Sequence, residues 1–124
     1  MPDERSDDVS VVDLIERAAA SATPGPAWAY QGADLNANLL VFDDGDGVAE
    51  HVNAEVDVLV VVLAGAGVVE VDGRALAVRA GQALVVPKGT RRALRADGGR
   101  FAYLTCHRRR AGLWPAGLPR PAAS

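Results

Sequence analysis

Residues 68–78 read VVEVDGRALAV, in which a turn dipeptide separates two apolar runs. Asp72 and Gly73 tolerate the positive φ of a primed two-residue turn, whose twist suits a pair of antiparallel strands. The segment therefore predicts a β-hairpin, with one strand over 68–71 and its partner over 75–78.

The same alternation of short apolar runs and turn residues continues on both sides of this hairpin. The turn segments are Asp43 to Gly47, Gly65-Ala66-Gly67, Ala80-Gly81, Pro87-Lys88-Gly89 and Asp97-Gly98-Gly99. Close, even spacing without a helical period between the runs is typical of an antiparallel sandwich or barrel. We therefore expect an all-β barrel or jelly roll over residues 26–108.

The two ends of the chain differ from this middle region. Ser10 and Asp13 have the spacing of a capping box, and apolar residues recur at helical spacing up to Ala22, so a short helix is predicted over 10–22. Residues 1–9 are expected to be flexible. The Pro-rich and Gly-rich segment 109–124 is expected to form an extended arm.

Composition excludes several classes of protein. The 124 residues fit one domain, and a net charge of −3 argues against a nucleic-acid partner, because such binding rests on neutralising phosphates. The longest apolar run, 58–69, is too short to cross a bilayer, so no membrane partner is expected. A lone Cys106 cannot form an intramolecular disulfide, which favours the reducing cytoplasm.

The segment Val58–Leu63 is apolar at every position. A strand of this composition must be covered on both of its faces. The barrel interior supplies one cover, and the N-terminal helix or a second subunit supplies the other. A homodimer is therefore expected.

Two segments of the middle region resemble the conserved motifs of the cupin superfamily. The first is His51-Val52-Asn53, followed by an acidic patch and a hydrophobic strand that runs into Gly65-Ala66-Gly67. The second is Gly81-Gln82-Ala83-Leu84-Val85-Val86-Pro87-Lys88-Gly89, followed by Thr90-Arg91-Arg92. The resemblance implies the cupin barrel and, in the enzymes of that superfamily, a divalent metal held by three His and one Glu.

This sequence departs from the implied metal ligands at most positions. His51 matches the first ligand, but Asn53 stands at the second and offers only a neutral oxygen. The Glu position falls on Val58 or on Asp57, depending on the direction of counting. The last ligand position is Arg92, a permanent cation that cannot coordinate a metal.

The resemblance and these departures predict a ligand site at His51, Asn53, Asp57 and Arg92 without a metal cofactor. If a metal is bound, its ligands are His51, Asn53 and Asp57. Strand parity with Leu94 directs Arg92 into the barrel, where its partner is either an internal carboxylate, Asp57 or Glu55, or the group of a small anionic ligand. His107 is expected to order the C-terminal arm.

Three functions remain open from the sequence, and no catalytic residue is assigned. The first is a cupin small-molecule binding protein without a metal, with Arg92 and His51 in its pocket. The second is a metal-dependent cupin enzyme of the dioxygenase or isomerase type, using His51, Asn53 and Asp57. The third is a structural module whose barrel is filled with side chains.

Overall fold

The computed structural model describes residues 9–109, which form one short helix and nine strands. The predicted flexible segment 1–9 and the arm over 109–124 therefore lie almost wholly outside the described residues. The elements are α1 (Leu14–Ala20), β1 (Gly25–Gln31), β2 (Leu35–Phe42), β3 (Gly47–Val52), β4 (Val58–Ala64), β5 (Ala66–Val71), β6 (Arg74–Arg79), β7 (Ala83–Val86), β8 (Arg91–Ala96) and β9 (Phe101–Arg108).

The strands form two antiparallel sheets that enclose one core. The five-stranded sheet has the order β1-β2-β9-β4-β7, and the four-stranded sheet has the order β3-β8-β5-β6. Strands adjacent in the chain alternate between sheets at several points, as in a jelly roll. The predicted all-β antiparallel barrel with a short N-terminal helix is confirmed.

The hairpin that decided the fold class is formed by β5 and β6. Val71 pairs with Arg74, so the connecting turn consists of two residues. Asp72 has a φ of 49° and Gly73 a φ of 83°, the positive values that a type I′ turn requires. The prediction over residues 68–78 is confirmed in both strands and turn.

The helix is shorter than predicted, because its N-cap is Asp13 rather than Ser10. The Asp13 carboxylate accepts a hydrogen bond of 3.0 Å from the backbone N–H of Glu16, and residues 10–12 precede the helix. Asp13 and Glu16 thus have the spacing that was assigned to Ser10 and Asp13. Helix α1 packs its buried Ala18 against the outer face of the five-stranded sheet, at Leu39 and Val41.

The core between the sheets is mainly aliphatic, with a small aromatic group. Its buried members are Leu40, Phe42, Val56, Val58, Val60, Val62, Val69, Val78, Val86, Leu94, Ala96, Phe101 and Tyr103. Apart from Val56, which precedes β4, they come from alternate positions of their strands, because successive side chains of a strand point to opposite faces. Within residues 9–109, no helix has the length and apolar character that a bilayer crossing requires.

The outer face of β4 is covered over only part of its length. Leu63 packs with the cluster under α1, as the sequence predicts. Leu59 remains 39% exposed, and its neighbour in register, Val85 of β7, is 58% exposed. An apolar patch at this end of the sheet therefore faces outward.

Replacement of Gly65 by Ala should destabilise the fold more than replacement of Gly73. Both glycines have positive φ, 74° and 83°, so each Ala variant carries a similar backbone strain of about 1–2 kcal/mol. A Cβ at Gly65 would also overlap the carbonyl oxygen of Arg100, whereas a Cβ at Gly73 meets nothing within 4 Å.

In urea unfolding, the free energy of unfolding of Gly65→Ala should be about 1–3 kcal/mol lower than that of Gly73→Ala. Equal losses would show that the approach of Arg100 to Gly65 is not tight in solution.

Candidate functional site

Arg92 lies on the inner face of the four-stranded sheet and is 2% exposed. It shares that face with Leu94 and Ala96, the other buried residues of β8. In register it is flanked by His51 of β3 and Val71 of β5. The guanidinium that replaces a metal ligand in the cupin pattern is therefore inside the barrel.

His51 lies beside Arg92 because β3 contains an irregularity. Between the pairs Val48↔Leu94 and His51↔Arg92, β3 has one residue more than β8, so Val48 and His51 both stay next to inner-face partners. The His51 Nδ1 lies 2.9 Å from the carbonyl oxygen of Ala49. A carbonyl only accepts hydrogen bonds, so Nδ1 carries the proton and Nε2 of the neutral ring is an acceptor.

Asn53 is buried just beyond the end of β3, at 6% exposure. Its Oδ1 accepts from the backbone N–H groups of Glu55 (2.9 Å) and Val56 (3.3 Å). Its backbone carbonyl accepts from Gly89 at 2.7 Å, which joins the two cupin-like segments. The Asn53 amide oxygen is thus used to shape the loop, while its Nδ2 is buried without a hydrogen-bond partner among residues 9–109.

Asp57 does not join the other three predicted site residues. Its side chain is exposed, and its Oδ1 accepts a hydrogen bond of 2.9 Å from the backbone N–H of Lys88. Val58, at 1% exposure, occupies the inner position and belongs to the core. Of the two registers that the sequence left open for the missing Glu, the structure therefore places Val58 in the barrel.

The opposite wall carries polar residues that the sequence analysis did not assign to the site. Strand β9 turns Phe101, Tyr103, Thr105 and His107 inward, and all four are at most 5% exposed. Their partners on β2 are Phe42, Leu40, Asn38 and Asn36, in that order. The sequence does show polar residues at alternate positions of these two otherwise apolar strands. Strand parity alone, however, does not identify which face of a strand points inward.

The connection between β8 and β9 shows that the polar residues of both walls lie at the same end. A short loop joins Ala96 to Phe101, so these two residues share one end of the barrel. Arg92 lies near the start of β8 and His107 near the end of β9, so both lie at the end of the barrel away from this loop. We call the end formed by Asn36, His51, Arg92, Thr105 and His107 the polar end.

His107 faces the barrel, and its predicted role in ordering the arm stays a prediction. It is 5% exposed, and its Nδ1 lies 2.9 Å from the carbonyl oxygen of Arg108. The inward parity of β9 determines this position, since His107 follows Phe101, Tyr103 and Thr105 at intervals of two. Residues 110–124, which the prediction would have His107 order, lie outside the described part of the chain.

Several inward polar atoms are buried without a hydrogen-bond partner in the part of the chain that the structure describes. They are Asn36 Oδ1, Asn53 Nδ2, Tyr103 OH, Thr105 Oγ1 and His107 Nε2. Each such group costs about 1–3 kcal/mol when it is left unsatisfied. Burial also raises the pKa of Tyr103, so its phenol remains protonated and available as a donor.

The residues present do not fit the metal site that the cupin resemblance implies. Among residues 9–109, no group of three or more His, Cys, Asp or Glu side chains is placed to hold a metal ion. Two of the four implied positions hold Val58 and Arg92. At a third, the oxygen of Asn53 already accepts two backbone hydrogen bonds.

Comparison with known proteins gives a family and several structural neighbours. A family model described as "Cupin domain" matches residues 38–107. No curated protein matches the chain significantly.

Three solved structures illustrate the likeness. Protein NMB1881 from Neisseria meningitidis is 19% identical with a TM-score of 0.69, covering 81% of this chain and 100% of that one. BH2720 from Bacillus halodurans is 17% identical with a TM-score of 0.72, covering 95% and 89%. KdgF from Halomonas sp. is 25% identical with a TM-score of 0.61, covering 67% and 76%. At these identities the first two show the fold alone.

Replacement of Thr105 by Val should stabilise the protein by about 1–3 kcal/mol in urea unfolding. Val has nearly the same shape, and it removes a buried hydroxyl that lacks a partner within residues 9–109. The matched control is Thr90→Val, because the Thr90 hydroxyl donates to the carbonyl of Pro87 at 2.8 Å. This control should lose about 0.5–1 kcal/mol. A destabilised Thr105→Val would show that the hydroxyl is satisfied in the unliganded protein.

Proposed function

The chain belongs to the cupin domain family, and from that premise we propose that it is a small-molecule binding protein whose pocket lies at the polar end of its barrel. The observation that carries this proposal is the set of buried polar atoms on Asn36, Asn53, Tyr103, Thr105 and His107. Buried polar groups are normally hydrogen-bonded, and a ligand with oxygen atoms would satisfy these.

The proposed ligand is a small anion. Arg92 brings a permanent positive charge to the polar end and is buried there. A guanidinium in such a setting favours a carboxylate or phosphate and disfavours a cation. In this proposal Arg92 and His51 contact the ligand from one wall, and Thr105 and His107 contact it from the other.

We further propose that binding does not use a metal. The proposal rests on the donor set, in which Arg92 replaces one implied ligand and Val58 another. Cys106 offers no substitute ligand, because it alternates with the inward residues of β9 and pairs with Leu59 on the outer face. The lone cysteine also supports a cytoplasmic location for the protein.

Thermal unfolding should test this ligand class directly. Dialysis against EDTA should leave the unfolding temperature unchanged, whereas small carboxylates or phosphate should raise it, because ligands that bind the folded state stabilise it. Arg92→Met and Tyr103→Phe should lose the ligand-induced rise. Arg91→Met is the matched control, because Arg91 is exposed beside Glu50 and should retain it.

The other outcomes support the other two functions. Stabilisation by iron, manganese, nickel or zinc alone would contradict the metal-free proposal and support a metal-dependent enzyme using His51. No stabilisation by either class would support a structural module with a filled barrel.

We also propose that the protein is a homodimer that pairs through the patch of Leu59 and Val85. These side chains are neighbours in register, and β7 is the edge strand of its sheet. A second copy could cover both the patch and the open edge by the same symmetric contact.

Light scattering should therefore give twice the 12.9 kDa mass of one chain. Val85→Glu should give the monomer, because it places a charge in the interface. Val52→Glu is the matched control, since Val52 is 52% exposed on the other sheet, and it should remain dimeric. A monomeric mass for the unmodified protein would remove this proposal.

A further inference from the structure

His107 presents a hydrogen-bond acceptor to the polar end. Its Nδ1 lies 2.9 Å from the carbonyl oxygen of Arg108, which only accepts hydrogen bonds. Nδ1 therefore carries the ring proton, and the Nε2 of the neutral imidazole has a lone pair and no hydrogen. This Nε2 is buried and has no partner among the described residues. It requires a donor.

Asn36 places a second acceptor beside the first. Asn36 and His107 are directly opposite in the register of β2 and β9, and both belong to the inner face. The Asn36 Oδ1 is likewise buried without a hydrogen-bond partner in the described range. Side chains at directly paired positions lie close together, so the two acceptors face one region of the pocket.

When the His107 ring is neutral, an anion alone does not satisfy this acceptor pair. The oxygens of a carboxylate or phosphate accept hydrogen bonds, and their lone pairs would meet those of His107 Nε2 and Asn36 Oδ1. An ammonium group would supply donors, but its burial costs far more free energy than the burial of a neutral group. A hydroxyl group supplies the donor without a charge.

The neighbouring residues along β9 complement such a hydroxyl. Thr105 precedes His107 on the inner face, followed toward the apolar end by Tyr103, and both are 0% exposed. Their hydroxyls can donate to a ligand oxygen, and the raised pKa of Tyr103 keeps its proton in place. A ligand hydroxyl can thus donate to His107 or Asn36 while it accepts from Thr105.

We propose that the ligand is a small hydroxycarboxylate, whose hydroxyl groups donate to His107 Nε2 and Asn36 Oδ1 while its carboxylate lies toward Arg92. This inference rests on the proposed function, because it refines the class of anion that the same pocket takes. It assigns His107 and Asn36 to hydroxyl recognition, a role that the cupin-like motifs do not include.

Matched acids that differ by one hydroxyl test the proposal. NMR titrations of the ¹⁵N-labelled full chain with lactate against propionate, and glycolate against acetate, should show that each hydroxy acid binds roughly three- to tenfold more tightly, the factor expected for one neutral hydrogen bond. Glycerate, with two hydroxyls, extends the series. The His107 ring should show a protonated Nδ1, and its Nε2 signal should move on addition of lactate.

Two variants of His107 test its part in the preference. His107→Phe should reduce the preference for lactate over propionate, because it removes one of the two acceptors and leaves only Asn36 Oδ1. His107→Gln should retain part of the preference, since its amide oxygen remains an acceptor. Thr90→Val, outside the polar end, should keep the full preference for lactate over propionate.

The contrary outcomes separate this inference from the proposed function. Equal affinity for lactate and propionate, or a ring protonated at Nε2, would overturn the hydroxyl assignment and leave the anion pocket standing. Binding of ribose or glycerol without binding of any acid would support the hydroxyl assignment and overturn the anionic ligand. Binding of none of these probes would overturn both.

Discussion

The alternation of side chains along β9 is the constraint on which the rest of the structure depends. This strand is hydrogen-bonded on both sides, to β2 and to β4, so its register cannot shift without breaking two ladders. A slip of one residue would exchange the inner residues, Phe101 to His107, for Ala102, Leu104 and Cys106. The composition of the barrel interior therefore follows from one strand and its two partners.

That interior changes in character along its length. At the apolar end, Phe101 and Tyr103 are 5.0 Å apart between ring centroids, and Phe42 adds a second contact with Tyr103 at 6.2 Å. Tyr103 marks the boundary, because its ring packs in the apolar core while its hydroxyl has no partner within the described chain. The polar side chains are therefore confined to one end of the barrel, beyond an apolar floor.

The departures from the cupin metal pattern are mutually consistent in physical terms. Val58 at the position implied for a carboxylate extends the core of β4, and Asp57 instead accepts from the backbone of Lys88 on the surface. The inner position next to His51 holds a cation, which would repel a divalent metal. The position implied for a carboxylate thus lacks one, and a position implied for a neutral ligand holds a positive charge. A metal site needs the carboxylate and is opposed by the positive charge.

Much of the fold was predictable from local chemistry, whereas little of the site was. Three features depend on neighbouring residues alone and were predicted correctly. They are the Asp72-Gly73 turn, the apolar strand at 58–63 and the parity that buries Arg92. The helix start was misplaced by three residues, because Ser10 and Asp13 both satisfy the spacing of a cap, and the structure has Asp13 as the N-cap.

The sequence by itself therefore determined the strand alternation, the turns and the loss of the metal ligands, since each is a property of residue type and spacing. Only the tertiary structure decided that Asn36, Thr105 and His107 point inward at the same end of the barrel as His51 and Arg92, and that Asp57 does not. These residues are far apart in the chain, and their arrangement arises from strand pairing and from the packing of two sheets. Such pairing is a long-range choice that local propensity does not encode.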